Sequence, residues 1–300
     1  MELSDSQKEQ RMVARVAQLP VLPSVVMQVM SLDSTDPGYF EDLVRIAEQD
    51  PTFAIRLLRV ANAANSSPTK PILTVRQAAI RIGSRECAGL ITAMAVSKVF
   101  VPRTVAQRNL WVHSVQTAVA SRTISKLMIR RTVAPDHAYV AGLIHDIGRF
   151  VMFESAAQDL QRVDETHWHS PQEMIDNERA LLGYDHVRVG ALICRRWNMP
   201  ASFLELVQLH HQYDLPRPTS LEASADLVRV VQMADLLSVK LMLSPDIVGM
   251  DPADLTAELG ATCVRREWEQ PPVSPSVLAQ SVPAIEQESD AMVKALFSAA

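Results

Sequence analysis

An almost uncharged, apolar run over residues 139–149 constrains the fold more than any other part of the chain. It has the composition of a buried helix, and it ends by setting His145 beside Asp146. Burying an imidazole and a carboxylate is costly unless a partner compensates them, and a divalent cation is the most effective partner. Adjacent helix residues point about 100° apart, so a metal between them needs further ligands from other helices. The sequence therefore predicts a metal site on which several helices converge.

Further residues of ligand type lie on or at the end of their own apolar helical segments, and they are His113, His186, His210, His211 and Asp235. A lone histidine on an apolar face is more often a hydrogen-bonded core residue than a ligand, and His137, His167 and His169 are expected at the surface or in loops. The larger set differs because several independent elements supply imidazole and carboxylate groups, which suit Zn, Mn, Fe or Ni. We therefore predict at least one bound divalent metal, with its identity left open.

Helical periodicity and helical start and stop signals run through nearly the whole chain. Strand signals are absent, and aromatic residues make up only 5% of the chain, so the pattern predicts an all-α protein. The sequence predicts four parts: an N-terminal helix over 1–18, a helical lobe over 19–102, a metal-site lobe over 103–243, and an extension over 244–300 with a Pro-rich linker and a terminal helix.

Local signals refine this division. A long helix over residues 110–131 carries His113, and Gly148 breaks or re-aims the central helix directly after Asp146. Ser170 and Asp185 are predicted N-caps, the latter placing a histidine in the first turn of its helix. The linker is predicted over 271–275 and the terminal helix over 282–297. Asn62 is interpreted as part of a helix C-terminus before a turn, in preference to a contact with a ligand or partner.

Composition limits the class of protein and of partner. With 48% hydrophobic and 21% charged residues the chain is ordinary for a soluble globular protein. The net charge is -5, and no block of Lys and Arg resembles a nucleic-acid footprint. Cys87, Cys194 and Cys263 are odd in number and far apart, which favours small packing residues in a reducing cytosol. A polar start and the lack of an apolar run of ~20 residues predict a cytoplasmic protein without a membrane span.

Stretches in the first third of the chain resemble the hallmarks of the HDOD family, a variant of the HD phosphohydrolase superfamily. They lie at 19–23 (Leu-Pro-Val-Leu-Pro), 50–53 (Asp-Pro-Thr-Phe), 57–62 (Leu-Leu-Arg-Val-Ala-Asn) and 78–83 (Ala-Ala-Ile-Arg-Ile-Gly). The order His, His-Asp, His, His-His, Asp resembles the metal-site signature of the superfamily. The resemblance covers about residues 19–243 and implies an HD-like multi-helix bundle with a smaller N-terminal helical lobe.

The resemblance also implies a division of the ligands. In HD enzymes the first His, the His-Asp pair and the final Asp hold one metal, the Asp bridges, and the later histidines hold a second metal where one is present. Carried over by position, the inner set is His113, His145, Asp146 and Asp235, and the second set is His186, His210 and His211. One or two divalent ions, chosen from Fe, Mn, Zn or Ni, are therefore expected.

Two hypotheses on function follow. HDOD proteins are by resemblance mostly regarded as bacterial signalling modules, which implies a regulatory or scaffold protein whose HD-derived pocket senses or holds a phosphorylated signal or a protein. The alternative is a metal-dependent phosphohydrolase acting on a nucleotide or cyclic nucleotide, with Arg149 as a phosphate contact. The complete ligand order favours the enzyme. The dedicated N-terminal lobe favours the regulator.

A missing tripeptide also favours the regulator. Relatives that cleave cyclic dinucleotides carry Gly-Tyr-Pro after the paired histidines, whereas this chain reads Gln212-Tyr213-Asp214. The expected partners are other signalling proteins and a phosphorylated small molecule or nucleotide, with neither nucleic acid nor membrane among them. A homo-oligomer is left open.

Overall fold

A computed structural model describes residues 5–18, 23–62, 72–166, 170–215 and 222–297, and every regular element in these ranges is a helix. The all-α prediction is therefore confirmed. The described residues divide into two compact units. The first unit contains residues 5–18 and 102–286, and the second contains residues 23–101 and 287–297. The four-part division expected from the sequence stays a prediction.

The chain opens with α1 (Asp5–Gln18), which belongs to the first unit. The second unit then contains α2 (Ser24–Met30), α3 (Tyr39–Glu48), α4 (Pro51–Asn62), α5 (Val75–Ile82) and α6 (Ser84–Val99). The remaining helices are α7 (Val105–Leu127), α8 (Pro135–Ile144), α9 (Ile147–Asp164), α10 (Pro171–Leu182), α11 (His186–Arg196), α12 (Ala201–Leu209), α13 (Glu222–Leu243), a 3-10 helix (Pro245–Gly249), α14 (Pro252–Thr262) and α15 (Pro275–Phe297). The last of these belongs to the first unit up to Glu286 and to the second from Gln287 onward.

Capping side chains set the starts of α7, α10 and α11 in the first unit. Thr104 accepts a hydrogen bond from the Gln107 amide, and the Gln107 side chain accepts one from the Thr104 amide, so α7 begins at Val105 and not at the predicted residue 110. Ser170 caps α10 and Asp185 caps α11, as predicted. Each cap satisfies an amide that the helix leaves unpaired.

Close backbone contacts hold the helices that carry the candidate site. A Cβ added at Gly142 would lie 2.7 Å from the carbonyl oxygen of Thr117, so α8 packs directly on the backbone of α7. A Cβ added at Gly148 would lie 1.9 Å from the carbonyl oxygen of His186, so the start of α9 packs on the start of α11. These two glycines are required by the space that the neighbouring backbone occupies.

The role predicted for Gly148 was wrong. The central helix ends at Ile144, two non-helical residues follow, and α9 begins at Ile147, so Gly148 lies inside a helix. Asp146 itself makes the break, with φ -97° and ψ 23°. The direction change therefore occurs at the His-Asp pair, and Gly148 serves the approach of α11.

The second unit has its own apolar core, which includes Leu43 of α3, Leu57 of α4 and Val75 of α5. Asn62 donates hydrogen bonds to the carbonyls of Leu58 and Ile72 and accepts one from the Ile72 amide, at 2.8, 2.8 and 2.9 Å. The asparagine therefore ties the end of α4 to the segment that leads into α5. Its amide serves the packing of the fold, which agrees with the interpretation of Asn62 as part of a helix end.

The C-terminal part departs from its predicted form. The last helix begins at Pro275, inside the stretch read as a linker, and it includes Pro283. A proline suits the first turn of a helix, so Pro275 starts the helix that was expected only from residue 282. Its final residues receive hydrogen bonds from Arg56, whose guanidinium donates to the carbonyls of Ala295 (3.0 Å) and Leu296.

Cysteine placement and helix hydropathy add two observations. Cys87, Cys194 and Cys263 are buried and unpaired, as predicted for packing residues, and burial raises the pKa of the first two thiols to about 12. Among the residues that the structure describes, no helix combines the length and the apolar composition that a bilayer crossing requires.

Candidate metal centre

The seven predicted ligand side chains gather inside the first unit. Their donor atoms form two groups, and within each group the donors lie within 4.8 Å of one another. The first group is His113, His145 and Asp235, and the second group is Asp146, His186, His210 and His211. We call these the first half-site and the second half-site. The convergence on which the sequence interpretation depended is therefore present.

Each ligand occupies a defined place on its helix. His113 lies within α7 and Asp235 within α13, whereas the other five lie at helix ends. His145 follows α8, Asp146 precedes α9, His186 begins α11, and His210 and His211 follow α12. His145 and His186 are 1% exposed and His210 is 0% exposed, so bulk solvent does not compensate these polar groups and they depend on partners inside the fold.

Asp146 stands between the two half-sites. Its Oδ2 lies 3.8 Å from His113 Nε2 and 3.7 Å from His145 Nε2. Its Oδ1 lies 3.5 Å from His186 Nε2 and 3.4 Å from His210 Nε2. Burial alone would raise the pKa of Asp146, but attraction to the surrounding imidazoles, His145 first, holds it well below its usual value. The carboxylate is therefore ionised and presents one oxygen to each pair of histidines.

Asp235 is the carboxylate of the first half-site. Its Oδ1 lies 3.2 Å from His113 Nε2 and 3.8 Å from His145 Nε2. Its Oδ2 lies 3.8 Å from His211 Nδ1, so this carboxylate also faces the second half-site. Burial would raise the pKa of Asp235, but the hydrogen bond with His113 and the neighbouring imidazoles lower it. A second ionised carboxylate thus lies beside the first.

Backbone carbonyls fix two of the imidazoles. His145 Nδ1 lies 2.8 Å from the Gly142 oxygen, and His210 Nδ1 lies 2.9 Å from the Val207 oxygen. A carbonyl oxygen only accepts hydrogen bonds, so each Nδ1 carries the proton and each Nε2 keeps a lone pair when the ring is neutral. Burial lowers the pKa of His145 to about 4, which keeps this ring neutral near pH 7. His145 therefore aims a lone pair into the centre, and His210 turns its Nε2 the same way.

Side-chain acceptors fix the other two imidazoles in the same orientation. His113 Nδ1 lies 3.0 Å from the hydroxyl of Ser238, which donates its own proton toward Gln116. His186 Nδ1 lies 2.7 Å from a carboxylate oxygen of Glu178. Burial alone would lower the pKa of both imidazoles, but the carboxylates of Asp235 and Glu178 raise it. All four rings thus place Nδ1 on an outer acceptor and turn Nε2 toward the centre, where His113 Nε2 also contacts Asp235 Oδ1 at 3.2 Å.

The spacing of the Nε2 atoms indicates what the centre fits. His113 Nε2 lies 3.2 Å from His145 Nε2, and His186 Nε2 lies 3.4 Å from His210 Nε2. Two lone pairs that face each other at this distance repel unless a proton or a metal ion lies near them. Divalent metals bind imidazole nitrogen and carboxylate oxygen, and the other ring nitrogen of such a ligand is usually held by an acceptor. The residues therefore fit a metal ion in each half-site.

Unpaired polar atoms support this fit. Within the described residues, both ring nitrogens of His211 and the Oδ1 of Asp146 lack a hydrogen-bond partner although they are buried. Burial, followed by repulsion from His210, lowers the pKa of His211 well below its usual value, so this ring is neutral. A buried polar atom without a partner is costly, and a bound cation would satisfy these acceptors.

Arg149, the predicted phosphate contact, is directed elsewhere. Its guanidinium donates to Asp164 and, at 2.7 Å, to the sulfur of Met174, and its Nε lies 3.9 Å from Glu178. Burial would lower the pKa of Arg149, but the carboxylates of Asp164 and Glu178 raise it. Contact with a phosphate stays a prediction, whereas the ion pairs with these carboxylates are part of the fold.

Sequence reasoning missed residues that hold the ligands, among them Glu178 and Gln232. The Gln232 amide donates to the carbonyls of Leu209 (3.0 Å) and Gln212 (2.7 Å), which flank the His-His pair. Nothing local in the sequence points to this contact. Glu178 did leave a signal, because it lies on the apolar face of α10 with other buried residues, where an acidic side chain needs a partner.

The other histidines lie away from the centre or outside the described residues. His137 is half-buried in α8, and its ring packs against Phe203 with 4.7 Å between the ring centroids. It contributes no donor to either half-site. His167 and His169 lie outside the described residues, so their predicted surface or loop position stays a prediction.

Comparison with solved structures identifies similar folds. A crystal structure of an HDOD domain protein with unknown function from Geobacter sulfurreducens is 21% identical, covers 96% of this chain and 99% of its own, and has a TM-score of 0.68. A Shewanella amazonensis protein, provisionally described as a phosphohydrolase, is 22% identical over 95% and 97% of the two chains, with a TM-score of 0.66. Another from the same organism, provisionally described as a metal-dependent phosphohydrolase, is 19% identical over 97% and 99%, with a TM-score of 0.54.

Sequence comparison places the chain in a family. An uncharacterised protein of Treponema pallidum (strain Nichols) is 23% identical over 224 residues, which are 74% of this chain and 42% of the relative. The chain thus spans about two fifths of the length of this relative. The family model of the HDOD domain matches residues 19–213, more than half of the chain. Together with the helical fold, this match shows that the chain belongs to the HDOD family.

Proposed function

We propose that this protein is a bacterial regulatory module that binds one or two divalent metal ions in its HD-derived pocket and uses that pocket to sense a signal or hold a partner. The observation that carries the proposal is that the predicted metal ligands come together and that most of them are buried from solvent. His145, His186 and His210 are at most 1% exposed, and each has its outer nitrogen on an acceptor. Such a centre suits binding and sensing better than turnover, which requires a substrate to enter.

The surroundings of the centre support the same proposal. Arg149, the residue predicted to contact a phosphate, is engaged with Asp164 and Met174. After the paired histidines the chain reads Gln212-Tyr213-Asp214 in place of Gly-Tyr-Pro. These features favour a module that responds to occupancy of the pocket over one that processes a substrate.

The residues of the chain explain how occupancy could be transmitted. A bound divalent cation would neutralise the two carboxylates and satisfy the imidazole lone pairs. The side chains that would hold it are Asp146 and Asp235 with the five histidines of the two half-sites. Because His186 begins α11 and His210 directly follows α12, the positions of these helix ends depend on the imidazoles. A signal that changes the pocket would therefore change how α11 and α12 pack.

Partners and location belong to the same proposal. We expect other signalling proteins as partners, and a phosphorylated small molecule or nucleotide as the ligand. The three buried, unpaired cysteines fit a reducing cytoplasm. A basic patch for nucleic acid is not expected, since the net charge is -5.

A metal-dependent phosphohydrolase is the second candidate, and one observation favours it. The two oxygens of Asp146 face separate pairs of histidines, at 3.7 to 3.8 Å and at 3.4 to 3.5 Å. A carboxylate between two metal ions is a recurrent feature of hydrolytic two-metal sites. A structural neighbour provisionally described as a metal-dependent phosphohydrolase adds to this candidate at the level of fold.

Metal analysis followed by an activity panel separates the two candidates. Protein purified without a metal-binding tag is loaded with Mn²⁺ or Fe²⁺ and compared with a variant that combines His145→Ala and Asp146→Ala. We expect one or two ions in the native protein and none in the variant. The loaded protein is then offered phosphomonoesters, cyclic nucleotides and guanosine polyphosphates, and we expect no turnover.

The outcomes distinguish the two parts of the proposal. A native protein that holds no ion after reloading would contradict the metal centre. Turnover that the double substitution abolishes would establish the hydrolase in place of the regulator.

A further inference from the structure

Glu178 is a carboxylate buried away from solvent. The residue lies on α10 and is 0% exposed, among buried neighbours that include Met174 and Leu182. An isolated carboxylate in such a place would be expensive, so its partners are informative. Those partners connect α10 to the second half-site.

One oxygen of Glu178 holds His186 twice. Its Oε2 accepts from the His186 amide at 2.8 Å and from His186 Nδ1 at 2.7 Å. A carboxylate only accepts, so Nδ1 carries the proton and Nε2 is left facing Asp146 Oδ1 at 3.5 Å. The same contact therefore fixes the start of α11, the tautomer of the ring and its orientation.

The other oxygen of Glu178 faces a buried cation. Its Oε1 has no hydrogen-bond partner in the described structure and lies 3.9 Å from Arg149 Nε. Arg149 continues to Asp164, so its charge is shared between two carboxylates. The guanidinium therefore lies beside Oε1 and does not compete for Oε2, the oxygen that holds His186.

We infer that Glu178 is a positioning residue for the metal ion of the second half-site, with the Arg149 guanidinium beside its other oxygen. This inference rests on the proposed metal-binding function and assigns a role to a residue that supplies no ligand atom. A carboxylate on the outer nitrogen of a histidine ligand increases the electron density at the inner nitrogen and thereby strengthens metal binding. His186 is therefore a stronger donor than an imidazole held by a neutral acceptor.

The other imidazoles provide the internal contrast. His113 relies on the hydroxyl of Ser238, and His145 and His210 rely on backbone carbonyls. Glu178 contacts His186 directly and contacts none of these three rings. Removal of the Glu178 charge should therefore weaken one ion and leave the other unchanged.

The substitution Glu178→Gln tests this role. Glutamine keeps the volume and one acceptor oxygen for His186, but it removes the negative charge. Mn²⁺ is titrated into metal-free protein, free Mn²⁺ is counted by electron paramagnetic resonance, and the affinities of the two ions are fitted separately. We expect one affinity to equal that of the native protein and the other to fall about 10- to 100-fold, the usual effect of losing an outer partner of a metal ligand.

A matched control separates this effect from the loss of charge in general. Asp176 lies on the same helix, and its carboxylate is exposed and contacts Arg179 and Gln172. The substitution Asp176→Asn removes one negative charge of α10 outside the centre. We expect both Mn²⁺ affinities to equal those of the native protein.

The outcomes decide between a positioning role and a merely structural one. Two unchanged affinities in Glu178→Gln, or two affinities weakened equally, would overturn the inference while the proposed metal centre stands. A native protein that binds a single ion would also overturn it, and one that binds none would overturn the proposed function as well. If Glu178→Gln does not fold, Glu178→Asp serves in its place. It retains the charge, shortens the reach to His186, and should weaken the same single ion.

Discussion

The two half-sites use similar ligands but are built differently. In the first, His113 and Asp235 lie in the interiors of long buried helices, α7 and α13. In the second, every ligand lies at a helix end, as at His186 and His210. A residue inside a helix is positioned by the packing of the whole helix, whereas a residue at an end depends on the few contacts that hold that end. The second half-site is therefore expected to be the more easily disturbed.

The supporting contacts follow this difference. The first half-site uses neutral acceptors, the Ser238 hydroxyl and the Gly142 carbonyl. The second uses the carboxylate of Glu178, the amide of Gln232 and the backbone approach at Gly148. Helix ends leave backbone groups unpaired, so buried side chains must satisfy them. The second half-site thus includes a charged outer contact, from Glu178 to His186, where the outer contacts of the first are neutral.

Asp146→Asn should have the largest effect, because this residue faces both half-sites. Asparagine keeps the shape but removes the charge that both ions would share. We expect both Mn²⁺ affinities to fall more than about 100-fold, since loss of an outer partner alone costs about 10- to 100-fold. Metal content after dialysis measures the change. Retention of one ion at native affinity would mean that Asp146 belongs to a single half-site.

Gly148→Ala should have the next largest effect. The added Cβ would lie 1.9 Å from the His186 carbonyl oxygen, so α9 and α11 must separate. Overpacking of this kind costs about 1–3 kcal/mol of unfolding free energy, and we expect the upper end because the obstacle is backbone. Urea unfolding measures this loss, and a Mn²⁺ titration should show a weaker second ion.

Gly249 supplies the control for this substitution. A Cβ at Gly249 meets nothing within 4 Å, so Gly249→Ala should leave both the unfolding free energy and the Mn²⁺ affinities close to native. Equal unfolding free energies in the two variants would contradict the proposed close packing at Gly148.

Gln232→Leu should act on the second half-site alone. It removes the amide that donates to the carbonyls of Leu209 and Gln212 and so holds the turn that carries His210. We expect the second ion to bind about 10-fold more weakly. This is the lower end of the usual effect of losing an outer contact, because the Gln232 amide bonds the backbone of the turn and not an imidazole ring. The Mn²⁺ titration measures both ions. Weakening of the first ion would break the distinction between the half-sites.

Ser238→Ala should have the smallest effect, and on the first half-site. The hydroxyl accepts from His113 Nδ1 at 3.0 Å, but α7 packing also positions this imidazole. We expect the first ion to bind less than about 10-fold more weakly, with the second ion unchanged. The same titration applies. An effect larger than that of Gln232→Leu would reverse the proposed order of robustness.

Much of the site could be predicted because its ligands are polar residues within otherwise apolar segments. Imidazoles and carboxylates such as His145 and Asp146 interrupt apolar helical segments, and each interruption is visible in the sequence. Glu178 and Gln232 escaped prediction because their partners lie on other helices. Arg149 was visible as a cation beside the site, but the carboxylates that it contacts were not foreseen.

The helices were predictable to a similar degree. Caps at Ser170 and Asp185 act within a few residues, so their position in the sequence is sufficient to place them. The start of α15 was missed because a proline-rich stretch is compatible both with a linker and with the first turn of a helix. Packing of the apolar face of the helix decides between the two, and the local sequence does not show that packing. The break at Asp146 was assigned to Gly148, since a glycine that admits a neighbouring backbone looks in sequence like one that ends a helix.

The sequence by itself determined the helical class, the ligand types and the order in which the chain supplies them, because these follow from local periodicity and side-chain chemistry. Only the tertiary structure decided which nitrogen of each imidazole faces the centre and which oxygen of Asp146 faces each half-site. A ring nitrogen is free to act as a ligand when the other is held by an acceptor, and for His113 and His186 that acceptor lies on a different helix. The direction of a ligand therefore depends on contacts between helices that no local pattern records.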